Sequence, residues 1–391
     1  MEGSLLHGHV KGGHCGPIGF WALDDKRKEV CCMSWIGKRS RALFDSVDAN
    51  ALVFRTSDSF PDSSVSYFTG IPKRFLSGNV LILKRGQKPV LLKSVLEPKI
   101  SVLGTTVKRI DRKAQFEAVL KKELKGIRTV GINRPFTPAS SMKALRKAVG
   151  KRKLVDVSKQ LSSLRAVKSA DEIPKIFRAC GIAQKVSEKI PSVYRKGMTE
   201  EKLALEIEVL LRKKGENELP FPVIVASGKN AASPHHVPLR RKIRNGFLLI
   251  DFGACCGNYC SDITRMFYVG RPAEKDRRLY KKVFEAKQLA QSLARPGISC
   301  AAVFKETSSF LKKGTGFPLI HGLGHGLGVD VHDFPKGFLQ DSREKLAENM
   351  VLTVEPAIYG KFGGIRIEDD VLITKRGCKQ LTKAPSAPVE I

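Results

Sequence analysis

Four carboxylates of this chain lie inside apolar, β-rich segments, where a charge is costly unless something neutralises it. They are Asp251 in LLIDFG, Asp262 in YCSDITR, Glu355 in LTVEPAIY and Glu368 in GGIRIEDD. Any fold must deliver these groups to cations or to protons, or leave them repelling one another. Phe247–Ala254 and Tyr259–Tyr268 flank Gly257-Asn258, a turn-forming pair, and predict a hairpin. With those two residues as the turn, Asp251 faces Thr264, and Asp262 sits diagonally on the same face. A tight turn near Lys361–Gly364 would likewise bring Glu355 and Glu368 opposite one another. A single such carboxylate is usually a surface group or a helix cap. Four that pair in two hairpins are hard to attribute to chance.

Histidine usage adds to this pattern. Three of eight histidines (His7, His9, His14) lie near the N-terminus, and the other five fall between 235 and 332. His325 sits in HGLGHGLGVDVHD, a glycine-rich loop in which backbone can approach an ion closely. His235 lies in ASPHHVP. Carboxylates with imidazole suit a pair of hard to borderline divalent cations. The expectation is a metal-dependent hydrolase rather than a binding module.

Along the chain, residues 51–56, 80–85, 89–94 and 130–134 look like buried strands, and 114–126 and 138–150 have helical spacing. Residues 37–165 thus predict a small mixed α/β domain, and Gly86 a turn between two of its strands. Ser169 and Glu172 form a capping-box pattern for a long helix running to about Lys189. A second helix spans Glu200–Lys214, with Leu203, Ile207, Leu210 and Leu211 on one stripe. β-rich blocks at 222–226, 247–255, 259–268, 350–359 and 365–374, with helical blocks at 277–294 and 300–313, suggest helices followed by a hairpin, twice over. Residues 168–391 form the second expected domain. Residues 1–36 show no period, and are either a mistaken start with Met33 as the true one or a disordered tail.

No run of 18 apolar residues and no secretory signal is present, so a cytoplasmic, non-membrane protein is expected. Nine cysteines without regular spacing read as free thiols, and Cys255, Cys256 and Cys260 as buried thiols rather than zinc ligands. The net charge of +31 is uneven, with 32 Lys and Arg against 13 Asp and Glu in residues 1–165. A basic face can bind nucleic acid or an anionic membrane. A solvated surface is the favoured account, because aromatic and glycine-rich nucleic-acid motifs are absent.

From about residue 168 to 385 the chain resembles the pita-bread metallopeptidases, which include prolidase, aminopeptidase P and methionine aminopeptidase. The windows IDFG, SDITR, HGLGH, VEP and GGIRIED carry that resemblance. Residues 37–165 resemble the creatinase-type N-terminal domain of the proline-specific branch. The resemblance implies a duplicated helix-plus-antiparallel-sheet catalytic domain (class α/β, α+β) binding two divalent ions, Mn²⁺ or Co²⁺. Asp251, Asp262, His325, Glu355 and Glu368 would be the ligands, with Asp262 and Glu368 bridging. A bridging hydroxide would attack an Xaa-Pro bond at the N-terminus of a dipeptide or short peptide, with Glu355 as base. His332 would hydrogen-bond the tetrahedral oxygen, and His235 would steady the scissile amide. Arg366 would hold a ligand carboxylate, and His321 lies near the substrate or serves packing. His236 is expected to be structural or solvent-facing. Lys336 stands where many prolidases carry an arginine thought to meet the substrate carboxylate; lysine keeps the charge but not the bidentate fork. Family likeness also implies a homodimer. The competing expectation is a non-catalytic pita-bread protein binding RNA or protein through its basic surface, and N-terminal methionine removal is a third.

Overall fold

The computed structural model describes residues 26–57, 61–111, 113–215 and 218–391. The expectation for residues 1–36 lies outside the described residues up to position 25. Helix α1 (Lys26–Asp45) opens the described chain, so Met33 falls within it. A six-stranded sheet follows, built from β1 (Ala51–Arg55), β2 (Val80–Lys84), β3 (Val90–Ser94), β4 (Thr106–Ile110), β5 (Thr129–Ile132) and β6 (Lys153–Asp156), in the order β4-β3-β2-β1-β5-β6. Helices α2 (Ser64–Thr69), α3 (Lys113–Glu123), α4 (Ala139–Val149) and α5 (Ser158–Ala166) cover it. Its central strands read as unbroken apolar runs because both faces are buried. Val53, Val80, Ile82 and Leu92 pack with α3 and α4, while Leu52, Phe54, Leu81 and Leu91 pack toward α1, α2 and α5. Gly86 takes φ +70° in the β2–β3 turn, a conformation that favours glycine.

Helix α6 (Ile173–Ser187) starts later and ends sooner than the capping-box pattern predicts. Only half of the box forms. Glu172 accepts from the Ser169 N–H at 2.9 Å, but the Ser169 hydroxyl donates to Asp171 and Glu172 instead of capping a backbone amide. Pro191 has no N–H to give the Ser187 carbonyl four residues back. Helix α6 therefore ends at Ser187, and a short α7 (Ile190–Val193) follows with Pro191 in its first turn. Helix α8 (Glu200–Lys214) occupies the expected span, and buries Leu203, Ile207 and Leu211.

Helices α6 and α8 back a four-stranded sheet that includes β7 (Ile224–Ser227), β8 (Gly246–Phe252) and, beyond the short pair β9 (Cys255–Cys256) and β10 (Tyr259–Cys260), β11 (Ile263–Val269). Helices α9 (Glu274–Leu293) and α10 (Cys300–Thr315) precede β12 (Val351–Val354), β13 (Ala357–Gly360), β14 (Gly363–Arg366), β15 (Asp369–Thr374) and β16 (Gly377–Gln380). The last strand, β17 (Val389–Glu390), returns beside β11. A helix pair followed by an antiparallel hairpin thus occurs twice. Strand alternation sorts each hairpin: Leu248, Ile250 and Phe252 face α6 and α8, leaving Asp251 on the other side. Leu352 and Val354 join the core of α9 and α10, leaving Thr353 and Glu355 opposite. The carboxylates therefore end up between the two repeats. Among the described residues no helix is long and apolar enough to cross a membrane.

Candidate metal centre

Gly257 and Asn258 both adopt positive φ, +58° and +70°, the backbone of a tight hairpin turn. Cys256 then pairs with Tyr259 and Cys255 with Cys260, and the same register carries through to Asp251 opposite Thr264. Asp262 lies where β10 gives way to β11. A Cβ on Gly253 would come within 2.1 Å of the Ser261 carbonyl, so glycine is what lets these strands close up beside it. In the second hairpin Val354 pairs with Asp369, and Ala357 with Arg366. That register sets Glu355 against Glu368 across the gap.

His325 reaches the same place from its loop. Its N–H donates to Thr353 Oγ1 at 3.1 Å, and its carbonyl accepts from the Thr353 N–H at 2.8 Å. A Cβ on Gly324 would meet the Thr353 carbonyl at 2.1 Å, which requires glycine next to the histidine. His325 Nδ1 sits 3.1 Å from the Gly326 carbonyl. A proton on Nδ1 satisfies that oxygen and leaves the Nε2 lone pair facing the acids. Nε2 lies 3.5 Å from Asp262 and 3.8 Å from Glu355.

Three overlapping groups result, each with its ligand-type atoms within 4.8 Å of one another: Asp251, Asp262 and Glu368; His325, Glu355 and Glu368; Asp262, His325 and His332. Burial opposes charge on every acid here. It raises Asp251, and with help from neighbouring carboxylates lifts Asp262 and Glu368 well above the usual range. Glu355 is pushed up to about 7 by burial, while burial and the neighbouring His332 push His325 down to about 3. Buried Asp251 Oδ1 and Asp262 Oδ1 have no hydrogen-bond partner among the described residues. Clustered acids with orphaned oxygens, facing a neutral imidazole, fit a divalent cation site.

Arg366 spans the edge of this cluster. It donates to Asp251 Oδ2 at 2.6 Å, to Thr264 Oγ1 at 2.9 Å and to the Tyr359 hydroxyl at 3.1 Å. Thr264 in turn donates to Glu368 at 2.7 Å, and Tyr359 meets His321 Nε2 at 2.9 Å. Arg366 also reaches the Pro234 carbonyl at 3.2 Å, beside the exposed His235. His236 turns the other way, onto buried Glu200 at 2.9 Å. His332 is exposed, its ring edge-on to His325 with centroids 4.1 Å apart. Cys255, Cys256 and Cys260 are buried, with the Cys255 and Cys260 sulfurs 3.9 Å apart.

Some contributors escaped the sequence reading. Tyr359 shares strand parity with Glu355, and Asp370 shares it with Glu368, a period-two signal that was available. Asp370 accepts from the Asp262 N–H at 3.2 Å. Glu200 accepts from Ser227, Asn230 and Leu239 as well as His236, and so ties down the segment that carries His235. Nothing at the start of a helix announces such a hub.

Comparison with known proteins places this centre in context. Residues 174–375 match metallopeptidase family M24, and residues 41–167 match the creatinase/prolidase N-terminal domain. The chain is 38% identical over 265 residues to a Xaa-Pro dipeptidase of Pyrococcus horikoshii, covering 67% of this chain and 75% of that protein. It superposes on an X-Pro aminopeptidase from Thermotoga maritima with TM-score 0.80 at 29% identity, over 90% of this chain and all of that one. A Xaa-Pro dipeptidase from Bacillus anthracis gives 0.81 at 27% identity, over 92% and 100%. The matched segment holds all six clustered ligand-type residues from Asp251 to Glu368, and this chain belongs to metallopeptidase family M24.

Proposed function

We propose that this metallopeptidase hydrolyses the Xaa-Pro bond at the N-terminus of dipeptides or short peptides, using two divalent ions. The observation that carries the reading is the overlap of two buried ligand groups that share Glu368. Asp251, Asp262 and Glu368 would hold one ion, and Asp262, His325, Glu355 and Glu368 the other. Such ions, when bound, acidify a water and polarise the scissile carbonyl, and Mn²⁺ or Co²⁺ suits this mixed oxygen and imidazole set. Arg366 orients Asp251 and opposes the burial that raises its carboxyl. Glu355, buried within the cluster beside His325, would take a proton from the attacking water and return it to the leaving nitrogen. Partial desolvation and the nearby His235 lower the pKa of His332, which favours the neutral ring, and its N–H would donate to the oxygen that gains charge. His235, at the open side, steadies the scissile amide.

A proline nitrogen carries no N–H in the bond to be cut, so substrate choice rests on fit and on the carbonyl. The names of the similar dipeptidase and aminopeptidase support Xaa-Pro peptides as substrates. Lys336 is exposed one residue after Pro335, and its single ammonium grips a substrate carboxylate less selectively than a guanidinium fork. Strict dipeptide preference is therefore not expected. The setting is a cytoplasmic homodimer, which sedimentation and cell fractionation would check.

A panel of Xaa-Pro dipeptides, Xaa-Pro-Yaa tripeptides and Met-Ala peptides, assayed on metal-free protein with Mn²⁺, Co²⁺ or Zn²⁺ added back, tests this function. Cleavage of Xaa-Pro peptides is expected; every peptide left intact with every metal would move the reading to a binding role for the basic surface. His332→Ala should lower kcat by ~10²–10³ while bound metal, measured by elemental analysis, stays at the wild-type level. Loss of metal instead would make His332 a ligand.

A further inference from the structure

The loop that carries His332 is gripped by the N-terminal sheet domain through an ion-pair network separate from the carboxylate cluster. Asp330 accepts from Lys73 Nζ at 2.7 Å, from Arg165 Nη2 at 2.6 Å and from the Ser63 hydroxyl. The same Arg165 nitrogen reaches Asp333 Oδ1 at 3.0 Å, and Arg165 Nη1 donates to Ser63 Oγ at 3.2 Å. These partners come from three places: the residue before α2, the short turn Lys73–Phe75, and α5. Asp333 organises the loop from inside, accepting from the Val329 N–H at 3.1 Å and the Phe334 N–H at 2.8 Å. Lys168 adds a bond to the Phe334 carbonyl at 3.2 Å. His332 thus has a clamped aspartate on each side, two residues before it and one after.

Its own ring makes no hydrogen bond among the described residues and touches His325 only edge-on. The position of the ring therefore follows the backbone, and the backbone follows the clamp. Adhesion between the two halves has another source. Leu327, Val329 and Val351 share one apolar cluster with Phe54, Phe68, Leu76 and Leu81. A guanidinium that is 3% exposed is costly to bury, and gives little net stability over an apolar replacement even when paired. Its paired carboxylates give what an apolar contact cannot, a single geometry for the loop.

We infer that Arg165, with Lys73 and Ser63, is a positioning device for His332, which makes the N-terminal domain a working part of the peptidase site. The inference rests on the peptidase reading above. Misplacing a reacting-site group by about 1 Å can cost on the order of 10² in rate, with binding little changed. Arg165→Met should then lower kcat by about 10²-fold, leaving KM and bound metal at wild-type values. Arg165→Lys should recover part of the loss, because an ammonium keeps the charge between the two aspartates but loses the fork's second nitrogen, which donates to Ser63.

A double-mutant cycle separates positioning from general stability. In a His332→Ala background, Arg165→Met should cost nothing further, since the group it positions is gone. Lys73→Met, a milder and more exposed change, runs the same cycle and decides the matter where Arg165→Met does not fold. Equal kcat losses in the wild-type and His332→Ala backgrounds would overturn the inference. So would unchanged kcat in Lys73→Met and Arg165→Met together. Inactivity of the wild-type enzyme on every peptide would be seen separately, and would remove the peptidase reading along with its refinement.

Discussion

Glu355→Ala should leave no measurable peptide turnover and weaken one of the two proposed metal sites. The side chain sits opposite Glu368, 3.8 Å from His325 Nε2, in the group where a second ion would lie. Loss of a general base alone costs on the order of 10²–10⁴ in rate, and loss of a ligand adds to that. Glu355→Gln separates the two contributions, because the amide keeps one coordinating oxygen but no longer takes a proton. It should retain more metal than the alanine variant while remaining severely slowed. Single-turnover hydrolysis, with metal stoichiometry measured on the same samples, reads both quantities. Turnover within tenfold of wild type in the alanine variant would remove Glu355 from the mechanism.

Stripping the metal should make stability depend steeply on pH, and in the direction opposite to that of most acid-paired proteins. Glu355 rises from an ordinary 4.5 to about 7 in the folded chain, and Asp251, Asp262 and Glu368 are raised too, all through burial first. A carboxyl with a folded pKa above its unfolded one holds an extra proton in the native state between the two values. Stability is then greatest below about 4.5 and falls as pH climbs through 7. Glu355 alone contributes about 3 kcal/mol of that fall by linkage. Asp330 shifts the other way, held low by Arg165 and Lys73, and its contribution is lost only at more acid pH. Added Mn²⁺ or Co²⁺ should flatten the decline, since a cation replaces the protons and binds only the folded form. Thermal melts of chelator-treated protein at pH 5 and pH 8, with and without metal, test this. A metal-free protein equally stable at both would show that these acids do not share a desolvated site.

Much of this centre is legible from strand parity. Gly257-Asn258 has one favoured conformation, so counting outward from it puts Asp251 opposite Thr264 without any tertiary information. The helix Glu200–Lys214 is equally plain, because its apolar stripe and final glycine agree. Other parts have weak local signals. β4 (TVKRI) and β6 (KLVD) are half-exposed sheet edges, and their strand character comes from neighbours they pair with. Helix α6 starts later than the capping-box pattern predicts because the Ser169 hydroxyl bonds to the Glu172 side chain, a choice the surrounding Arg39 and Tyr259 influence from afar. Arg165 reads as an ordinary helix residue, and its partners at 330 and 333 are more than 160 positions away. Long-range ion pairs leave no periodic trace.

Length, more than chemistry, is what the turn at Lys361–Phe362 contributes to the centre. Gly360 pairs with Gly363 across it, and every later pairing down to Glu355 and Glu368 inherits that count. Side chains alternate, so one residue added there would present Ile367 in place of Glu368 and move Asp369 away from buried Lys287 and Arg265. The hairpins are therefore intolerant of insertion even where no atom nears an ion. Insertions and deletions in related chains should gather outside them, in connections such as 339–349, where residue number can drift without disturbing the frame.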